Sequence, residues 1–344
     1  MFSSAEPSNQ RREVRLSVLD LSPIRLSDNA SDALRNTLDL AQHAEKWGFH
    51  RFWLAEHHNM KGIASAATSV VIGHVAGGTS TIRVGSGGIM LPNHAPLVIA
   101  EQFGTLESLY PGRIDLGIGR APGSDQLTAR ALRRNLGSDG DTFPRDLLEL
   151  QSYFRGTARV NAVPRNGLNV PIYLLGSSDF SAQLAAELGL PFAFASHFAP
   201  DYLFAALELY RRNFKPSETL QKPYVIVGAN VFAANNDDEA QRLFTSLQQQ
   251  FLNLVRGTPG QLPPPVDDMS TRLSAPEAAH LERITRISAI GAPDTVRARL
   301  QLIARETGAD EIIATAQIFD HAARLHSFEI LSEVGRELVL DLAA

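Results

Sequence analysis

The run RFWLAEHHN at residues 51–59 passes without a spacer from an apolar stretch, RFWLA, to four polar residues, EHHN. The apolar half predicts a strand of a buried sheet, and the polar half places titratable side chains at its end. The pattern recurs where IRV at 82–84 leads into GSGG and RIDL at 113–116 leads into GIGR. The three segments start 31 residues apart. Functional residues are therefore expected at the C-terminal ends of parallel strands, where α/β barrels carry their active sites.

Short β-rich runs alternate with longer helical patterns along the whole chain. A helical pattern follows each predicted strand, and this alternation is typical of a parallel sheet. Eight such units predict a closed (β/α)8 TIM barrel, with insertions after the fourth strand (residues 134–170) and the seventh (residues 257–290). The predicted strands are residues 14–19, 51–55, 82–85, 113–117, 171–175, 192–195, 224–232 and 311–315.

The composition and net charge of the chain exclude several classes of protein. A chain of 344 residues that is 44% hydrophobic can bury a large core, and we predict one domain over residues 14–344 after a disordered polar extension at 1–13. The net charge of −5 and the absence of a basic cluster argue against nucleic-acid binding. The chain has no cysteine, which excludes disulfides and thiolate sites. No apolar stretch approaches the ~20 residues that span a bilayer, so we expect a cytoplasmic protein without membrane contact.

Residues 257–268, GTPGQLPPPVDD, are too rich in proline and glycine to be helix or strand throughout. The segment lies between the seventh and eighth predicted strands. It could fold over the active-site end as a lid, or it could be an ordinary surface excursion, and the sequence leaves both interpretations open.

Two strand ends carry candidate anion-binding residues. Gly176-Ser177-Ser178 follows the fifth strand and opens a helix, where hydroxyls and free backbone amides favour an anion. A plain serine N-cap would have the same sequence. Arg120 ends the fourth strand and could bind phosphate or form a structural salt bridge. Because both segments end strands of one barrel, they could hold a single phosphate from two sides.

The third strand ends in Ser86-Gly87-Gly88, which lacks side-chain bulk. Glycines at a strand end let a flat ligand approach the backbone closely, although a tight turn before a helix explains them equally well. The segment GIGRAPG at 117–123 has its third glycine one place too late for a dinucleotide-binding loop, so we do not predict a Rossmann site.

The histidines suggest proton transfer or hydrogen bonding beside a ligand. His57 is the principal candidate, and Glu56, His58, Asn93 and His197 are further candidates for the wall of a substrate pocket. Each histidine could instead make a buried structural hydrogen bond. Neighbouring residues of an extended chain point to opposite sides, so His57 and His58 are not expected to bind one metal ion. We predict no metal, and a metal-dependent barrel hydrolase is kept as an alternative.

These motifs, in this order and spacing, resemble the bacterial luciferase-like, flavin-dependent monooxygenase family. The resemblance rests on WLAEHH (53–58), VGSGGIMLP (84–92) and GRIDLGIGR (112–120), and continues more weakly through residues 176–178 and 290–293. The fragments at 55–60 and 91–96 look like a bacterial subgroup whose members are mostly uncharacterised. Luciferase itself has a cysteine where this chain has Gly119, so light emission is not implied.

The resemblance implies a TIM barrel that binds reduced FMN at the strand C-termini and oxidises a small organic substrate with O₂ through a peroxyflavin. His57 matches the family's active-site histidine, Arg120 its phosphate-binding arginine, and Ser177 and Ser178 its phosphate-binding hydroxyls. Gly87-Gly88 matches a segment with a non-proline cis peptide under the flavin ring. Members usually take reduced flavin from a separate flavin reductase, and they often form dimers. The alternatives are hydride transfer with the deazaflavin F420 and flavin binding without turnover.

Overall fold

The structure, a computed structural model, describes residues 11–121, 126–132, 142–164 and 168–341. Its strands are β1 Arg11–Glu13, β2 Arg15–Asp20, β3 Arg51–Leu54, β4 Arg83–Met90, β5 Ile114–Gly119, β6 Ile172–Gly176, β7 Phe192–Phe194, β8 Val225–Ala233, β9 Ser288–Gly291, β10 Glu311–Thr315 and β11 Val339–Asp341. Its helices are α1 Ala30–Trp47, α2 Thr68–Gly77, α3 Pro96–Leu109, α4 Gln126–Leu132, α5 Phe143–Arg155, α6 Asp179–Leu188, α7 Leu203–Asn213, α8 Asp237–Val255, α9 Ala275–Ile284, α10 Pro293–Thr307 and α11 His321–Gly335.

Eight parallel strands form a closed barrel. β2 to β8 lie side by side in chain order, and β10 pairs with both β2 and β8, which closes the sheet. Each barrel strand overlaps one predicted strand, so the (β/α)8 prediction is confirmed. β9 lies in the insertion after β8 and extends the sheet by pairing with the far end of that strand. The predicted insertion at 134–170 is described only in part, and it contains α5.

The two chain ends differ from the prediction. β1, at Arg11–Glu13, pairs antiparallel with β11, so these residues do not belong to a disordered extension of 1–13. Residues 1–10 lie outside the described residues. The helical pattern after the eighth predicted strand predicts a helix over residues 320–340, but the last helix ends at Gly335. Both errors have one cause: a three-residue strand is too short to show a period, and its partner is more than 300 residues away.

Local sequence sets the helix boundaries, as α1 illustrates. The side chain of Asn29 accepts hydrogen bonds from the amides of Ser31 (2.8 Å) and Asp32 (3.2 Å), which caps the helix start. Gly48 ends the helix with φ at 83°, a conformation that glycine adopts without strain. Leu40 and Ala41 are buried and pack in the layer between helices and barrel. None of the described helices is both long and apolar enough to cross a membrane.

A buried ion cluster fills the N-terminal end of the barrel interior. Arg51, the first residue of β3, donates to Asp115 (2.7 Å) and to Glu311 (2.8 Å), and all three side chains are buried. Arg83 and the indole of Trp53 also donate to Asp115. The next layer toward the C-terminal end is apolar or aromatic, and its members are Leu19, Trp53, Tyr173, Ile226 and Ile313.

Small residues occupy the interior positions nearest the C-terminal mouth. Because side chains alternate between interior and exterior along a strand, Gly87, Ala195 and Gly228 take the interior positions that follow the aromatic layer. Ala55 packs in the interior cluster itself. A Cβ added to Gly87 would lie 2.7 Å from Leu19 and 3.1 Å from Trp53. The barrel is therefore packed with large side chains at its floor and lined by small ones at its mouth.

Candidate active site

His57 follows β3 and His197 follows β7, so the two histidines come from opposite sides of the barrel mouth. His57 follows the interior residue Ala55 by two positions, and the His197 ring lies over Gly228, where an added Cβ would sit 2.4 Å from its Nδ1. Burial lowers the pKa of His57, and burial together with the nearby His57 lowers the pKa of His197 to about 4. Both imidazoles are therefore neutral near pH 7, and each can donate or accept a hydrogen bond.

Glu56 lies on the other side of the β3 end, where it binds the loop after β4. Its carboxylate accepts hydrogen bonds from the Met90 amide (3.0 Å), from Nε2 of His94 (2.9 and 3.0 Å) and from Nε2 of His58 (2.7 Å). The Asn93 amide is 3.4 Å from the same carboxylate. Burial alone would raise the pKa of Glu56, but these partners lower it. Glu56, His58 and Asn93, predicted as pocket wall, thus form a network that fixes the β4 loop.

The same three side chains have the geometry of a metal-ligand set. The ligand atoms of Glu56, His58 and His94 all lie within 4.8 Å of one another. Two imidazoles and a carboxylate are a common ligand set for zinc and other divalent metals. His57 is not part of this set, and His94, which the sequence did not suggest, supplies the second imidazole. In the structure these atoms hydrogen-bond to each other.

We expect Glu56→Gln to destabilise the protein by about 1.5–3 kcal/mol at pH 7, the usual worth of hydrogen bonds to a charged group. Because the folded-state pKa of Glu56 is lowered, the unfolded chain binds the proton more readily. The contribution of Glu56 is therefore present above about pH 4.5 and lost as pH falls through the folded pKa. Urea unfolding of both proteins between pH 3 and 8 measures this difference.

Glu208→Gln, at an exposed position of α7, is the matched control and should change stability little at any pH. A Glu56→Gln difference that stayed constant down to pH 3 would contradict the ionised network.

The glycine pair Gly87–Gly88 lies inside β4, which continues to Met90, and has the peptide geometry that the resemblance implied. The Gly87–Gly88 peptide bond is cis. A Cβ on Gly88 would lie 2.8 Å from the carbonyl oxygen of Gly117, so the backbones of β4 and β5 leave no room for a side chain. The hydroxyl of Ser86 is buried and donates to that same carbonyl oxygen (2.8 Å). Ser86 therefore holds β4 against β5, and only its backbone could contact a cofactor.

Arg120 and the start of α6 meet on one side of the mouth. The Arg120 guanidinium lies 4.3 Å from the ring centroid of Phe180, the second residue of α6. Ser178 occupies the N-cap position, but its side chain makes no capping hydrogen bond. Gly176 lets α6 approach β6 closely, since a Cβ there would fall 2.2 Å from the Ser181 hydroxyl. The fold thus brings Arg120, a free serine hydroxyl and a helix N-terminus together, which is an arrangement suited to an anion.

Known proteins resemble this chain over nearly its whole length. A sequence model of the family described as luciferase-like monooxygenase matches residues 14–311. The chain belongs to the luciferase-like monooxygenase family. A protein of Escherichia coli (strain K12) named luciferase-like monooxygenase is 57% identical over 331 residues, which cover 95% of this chain and 99% of its own length.

Two solved structures have the same fold as this chain. The structure of apo-MsnO8 has a TM-score of 0.84 and 34% sequence identity, and covers 95% of this chain and 99% of its own. The oxygenating constituent of 3,6-diketocamphane monooxygenase from Pseudomonas putida, solved with FMN, has a TM-score of 0.73 and 19% identity, covering 96% and 100%. The second similarity is one of fold.

The segment 257–268 lies at the C-terminal end of the barrel strands. The Leu262 amide donates to the carbonyl oxygen of Ile24 (2.8 Å), and the Leu26 amide donates to the carbonyl oxygen of Leu262 (3.0 Å). Residues 24–26 belong to the loop after β2, and Gly260 packs against Gly62 in the loop after β3. The segment therefore packs on the loops after β2 and β3, which fits both the lid and the surface excursion.

Sequence reasoning missed several polar residues at the mouth. His94 follows β4 in a stretch, LPNHAP, that gives no local sign of its contact with Glu56. Thr315 and Gln317 are buried at and beyond the end of β10, and the buried Asn230 lies on β8. Their position at the ends of predicted strands was the one available signal.

Proposed function

We propose that this protein is an FMN-dependent monooxygenase, which uses reduced FMN and O₂ to oxidise a small organic substrate. The observation that carries the proposal is the pairing of two features at one barrel mouth. An anion site formed by Arg120 and α6 lies on one side, and small interior residues with two neutral histidines line the rest. A planar ring with a phosphate tail has complementary shape and charge.

The phosphate end fits the residues present. Arg120 supplies a permanent positive charge with several N–H donors, and guanidinium groups bind phosphate in a bidentate geometry. Ser177 and Ser178 precede the first turn of α6, and the Ser178 side chain is not used as a cap. The first backbone amides of α6 carry the positive end of its dipole. We assign these groups to the phosphate of FMN.

The ring end fits as well. Gly87 and Gly88 present backbone without side chains, and Ala55 lies beside them in the interior. A flat tricycle could rest on this surface, above the layer that contains Trp53 and Leu19. A larger residue at Gly87 would collide with both of those side chains. Glycine at this position therefore leaves space for the ring above Trp53 and Leu19.

Reduced FMN supplies electrons and activates O₂ for insertion into the substrate. The residues of this chain bind the phosphate, orient the ring and exclude water from the mouth, where the 257–268 segment adds cover. His57 is neutral near pH 7 and can hold a hydrogen bond or move a proton at the reacting oxygen. We propose this proton-handling role for His57.

Binding of oxidised and reduced FMN to the purified protein, followed by a substrate screen under O₂, tests the proposal. We expect FMN to bind and substrate-dependent O₂ uptake to follow. Parallel titration with F420 tests the hydride-transfer alternative, and tighter binding of F420 than of FMN would favour it. FMN binding without O₂ uptake for any substrate would favour a non-catalytic flavin carrier.

We expect His57→Ala to retain FMN binding but to lose coupling, because correctly placed proton transfer contributes typically 10²–10⁴-fold to a rate. The measurement is oxygenated product formed per reduced FMN consumed, with H₂O₂ determined in parallel. His74→Ala, at an exposed position of α2, is the control and should behave like the wild type. Equal product yields for His57→Ala and the wild type would remove His57 from the reaction.

Two partners complete the proposal. The sequence has no dinucleotide-binding loop, so we propose that a separate flavin reductase supplies reduced FMN, and rapid reduction of bound FMN by NADH alone would contradict this. We also propose a homodimer through α2 and α3, which expose Val70 (70%), Val98 (44%) and Leu109 (63%). Sedimentation at the mass of one chain would rule the dimer out.

A further inference from the structure

Four buried polar atoms at the C-terminal ends of barrel strands have no hydrogen-bond partner among the described residues. They are Nδ1 of His57, Nδ1 of His197, Oγ1 of Thr315 and Oε1 of Gln317. Thr315 is 2% exposed and Gln317 is 7% exposed. An unpaired buried polar atom costs about 1–3 kcal/mol, so several at one place call for an explanation. We call these four side chains the polar arc.

Thr315 and Gln317 come from the end of β10 and His197 from the end of β7, and β8 lies between these two strands. Thr315 ends β10 and pairs in register with Asn230 of β8, whose amide donates to the carbonyl oxygen of His197 (2.6 Å) after β7. The residues on either side of Gln317, Ala316 and Ile318, pack in the core outside the barrel. Gln317 is therefore turned inward, as Thr315 is.

His57 completes the polar arc from β3. Its ring is near enough to contribute to the lowered pKa of His197.

Thr315 and Gln317, in the middle of the polar arc, lie across the mouth from the anion site. Arg120 follows β5, and Thr315 ends β10, which is four strands away in the order β5, β6, β7, β8, β10 of an eight-stranded barrel. A phosphate tail held by Arg120 therefore leaves the polar arc to contact a different part of the bound molecules.

The polar arc has hydrogen-bonding capacity without net charge. Burial lowers the pKa of both imidazoles, so they are neutral near pH 7. Two charged groups lie beside the polar arc, and both already have partners. Arg324 donates to the Ala316 carbonyl oxygen and binds Asp20 at 2.8 Å. The Glu56 carboxylate, which acts on His57, is bound by the Met90 amide, His58 and His94. A carboxylate or an ammonium group bound here would lose its hydration without gaining a counter-charge, which is unfavourable.

We propose that the polar arc binds an uncharged amide or alcohol group of the organic substrate and so selects neutral polar substrates over acids and amines. The Gln317 oxygen accepts hydrogen bonds, and the Thr315 hydroxyl can donate or accept one. Each imidazole nitrogen donates or accepts a hydrogen bond according to its tautomer. A group that both donates and accepts matches this set. The inference rests on the proposed oxygenase function and adds to it the class of substrate.

The test uses three probes of one size: benzamide (neutral), benzoate (anionic) and benzylamine (cationic). Each is titrated into the protein with and without oxidised FMN, by calorimetry and by the fluorescence of Trp53 beneath the mouth. We expect benzamide to bind at least tenfold more tightly than the other two. The double variant Thr315→Val/Gln317→Leu should lose this preference. Ser246→Ala, which removes an unpaired buried hydroxyl on α8 instead, should keep it.

The same double variant should have an unchanged or higher melting temperature, because it removes polar atoms that have no partner in the described structure. A fall in melting temperature would mean that Thr315 and Gln317 make structural hydrogen bonds, and would overturn the inference. Equal affinities for the three probes would overturn it too, as would weaker FMN binding by the double variant, which would assign the polar arc to the flavin. A benzamide preference in a protein that fails to bind FMN would leave the polar arc standing and refute the oxygenase proposal.

Discussion

Replacing Arg51 with alanine is expected to lower the free energy of unfolding by about 3–5 kcal/mol, the usual cost of removing one partner from a buried ion pair. Arg51 is 2% exposed and lies between Asp115 and Glu311, which are both fully buried. Burial would lower the pKa of Arg51, but the two carboxylates raise it well above its usual value. Without the guanidinium, the carboxylates of Asp115 and Glu311 would stay buried near each other with too little positive charge to balance them. Urea unfolding followed by circular dichroism measures the loss.

Two variants separate charge from packing in this prediction. Arg35→Ala removes an exposed arginine that pairs with Asp32 on α1, and it should cost no more than about 1 kcal/mol. Arg51→Lys keeps the charge but loses the planar fork that reaches both carboxylates, so its stability should be intermediate. A cost below about 1 kcal/mol for Arg51→Ala would mean that the floor does not depend on this ion cluster.

The two ends of the barrel differ in how many of their buried polar groups have hydrogen-bond partners. Tyr224 donates to Glu311 (2.7 Å) and Trp53 donates to Asp115 (3.1 Å), so the charged groups at the floor all have partners, and Ser17 is the one nearby residue with an unpaired buried hydroxyl among those the structure describes. At the mouth, by contrast, His57, His197, Thr315 and Gln317 keep unpaired polar atoms. Barrels of this class place stability at the N-terminal end of the strands and function at the C-terminal end. The distribution of satisfied and unsatisfied groups in this protein follows that division.

The barrel could be predicted from sequence because its strands are buried on both faces. β3, β5 and β8 are predominantly apolar runs with one polar residue each, each followed by a helical pattern, and such runs stand out without any tertiary information. β1, β9 and β11 could not be predicted, because each has three or four residues and is defined by a distant partner. The boundary of the N-terminal extension was wrong for that reason.

The site was predictable only where its residues belong to a local motif. Arg120, the Gly87–Gly88 pair and His57 stand at or near strand ends, and strand ends can be found from the pattern of hydrophobic residues. The contact of His94 with Glu56 joins residues 38 positions apart, and no local pattern encodes it. The role of Ser86 was also hidden, because alternation alone does not reveal that its hydroxyl is bound to Gly117.

Replacing Arg120 with alanine is expected to weaken FMN binding about tenfold to hundredfold while leaving riboflavin binding unchanged. The two ligands differ only in the phosphate, so the comparison isolates the group that Arg120 is proposed to bind. A hydrogen bond to a charged group is worth about 1.5–3 kcal/mol, and each 1.4 kcal/mol is about a factor of ten in affinity. Quenching of flavin fluorescence during titration measures both dissociation constants, and thermal unfolding checks that Arg120→Ala is folded.

Charge and position can be separated by three further measurements. Arg130→Ala, at an exposed position of α4, removes the same charge outside the site and should leave FMN affinity unchanged. Asp179 is exposed in the first turn of α6 and its charge opposes an anion there, so Asp179→Asn should bind FMN more tightly than the wild type. Raising the salt concentration should weaken binding of FMN but not of riboflavin, because salt screens only the phosphate interaction. If Arg120→Ala weakened both ligands equally, the arginine would be acting on the ring or on the fold, and the phosphate would have to be held elsewhere.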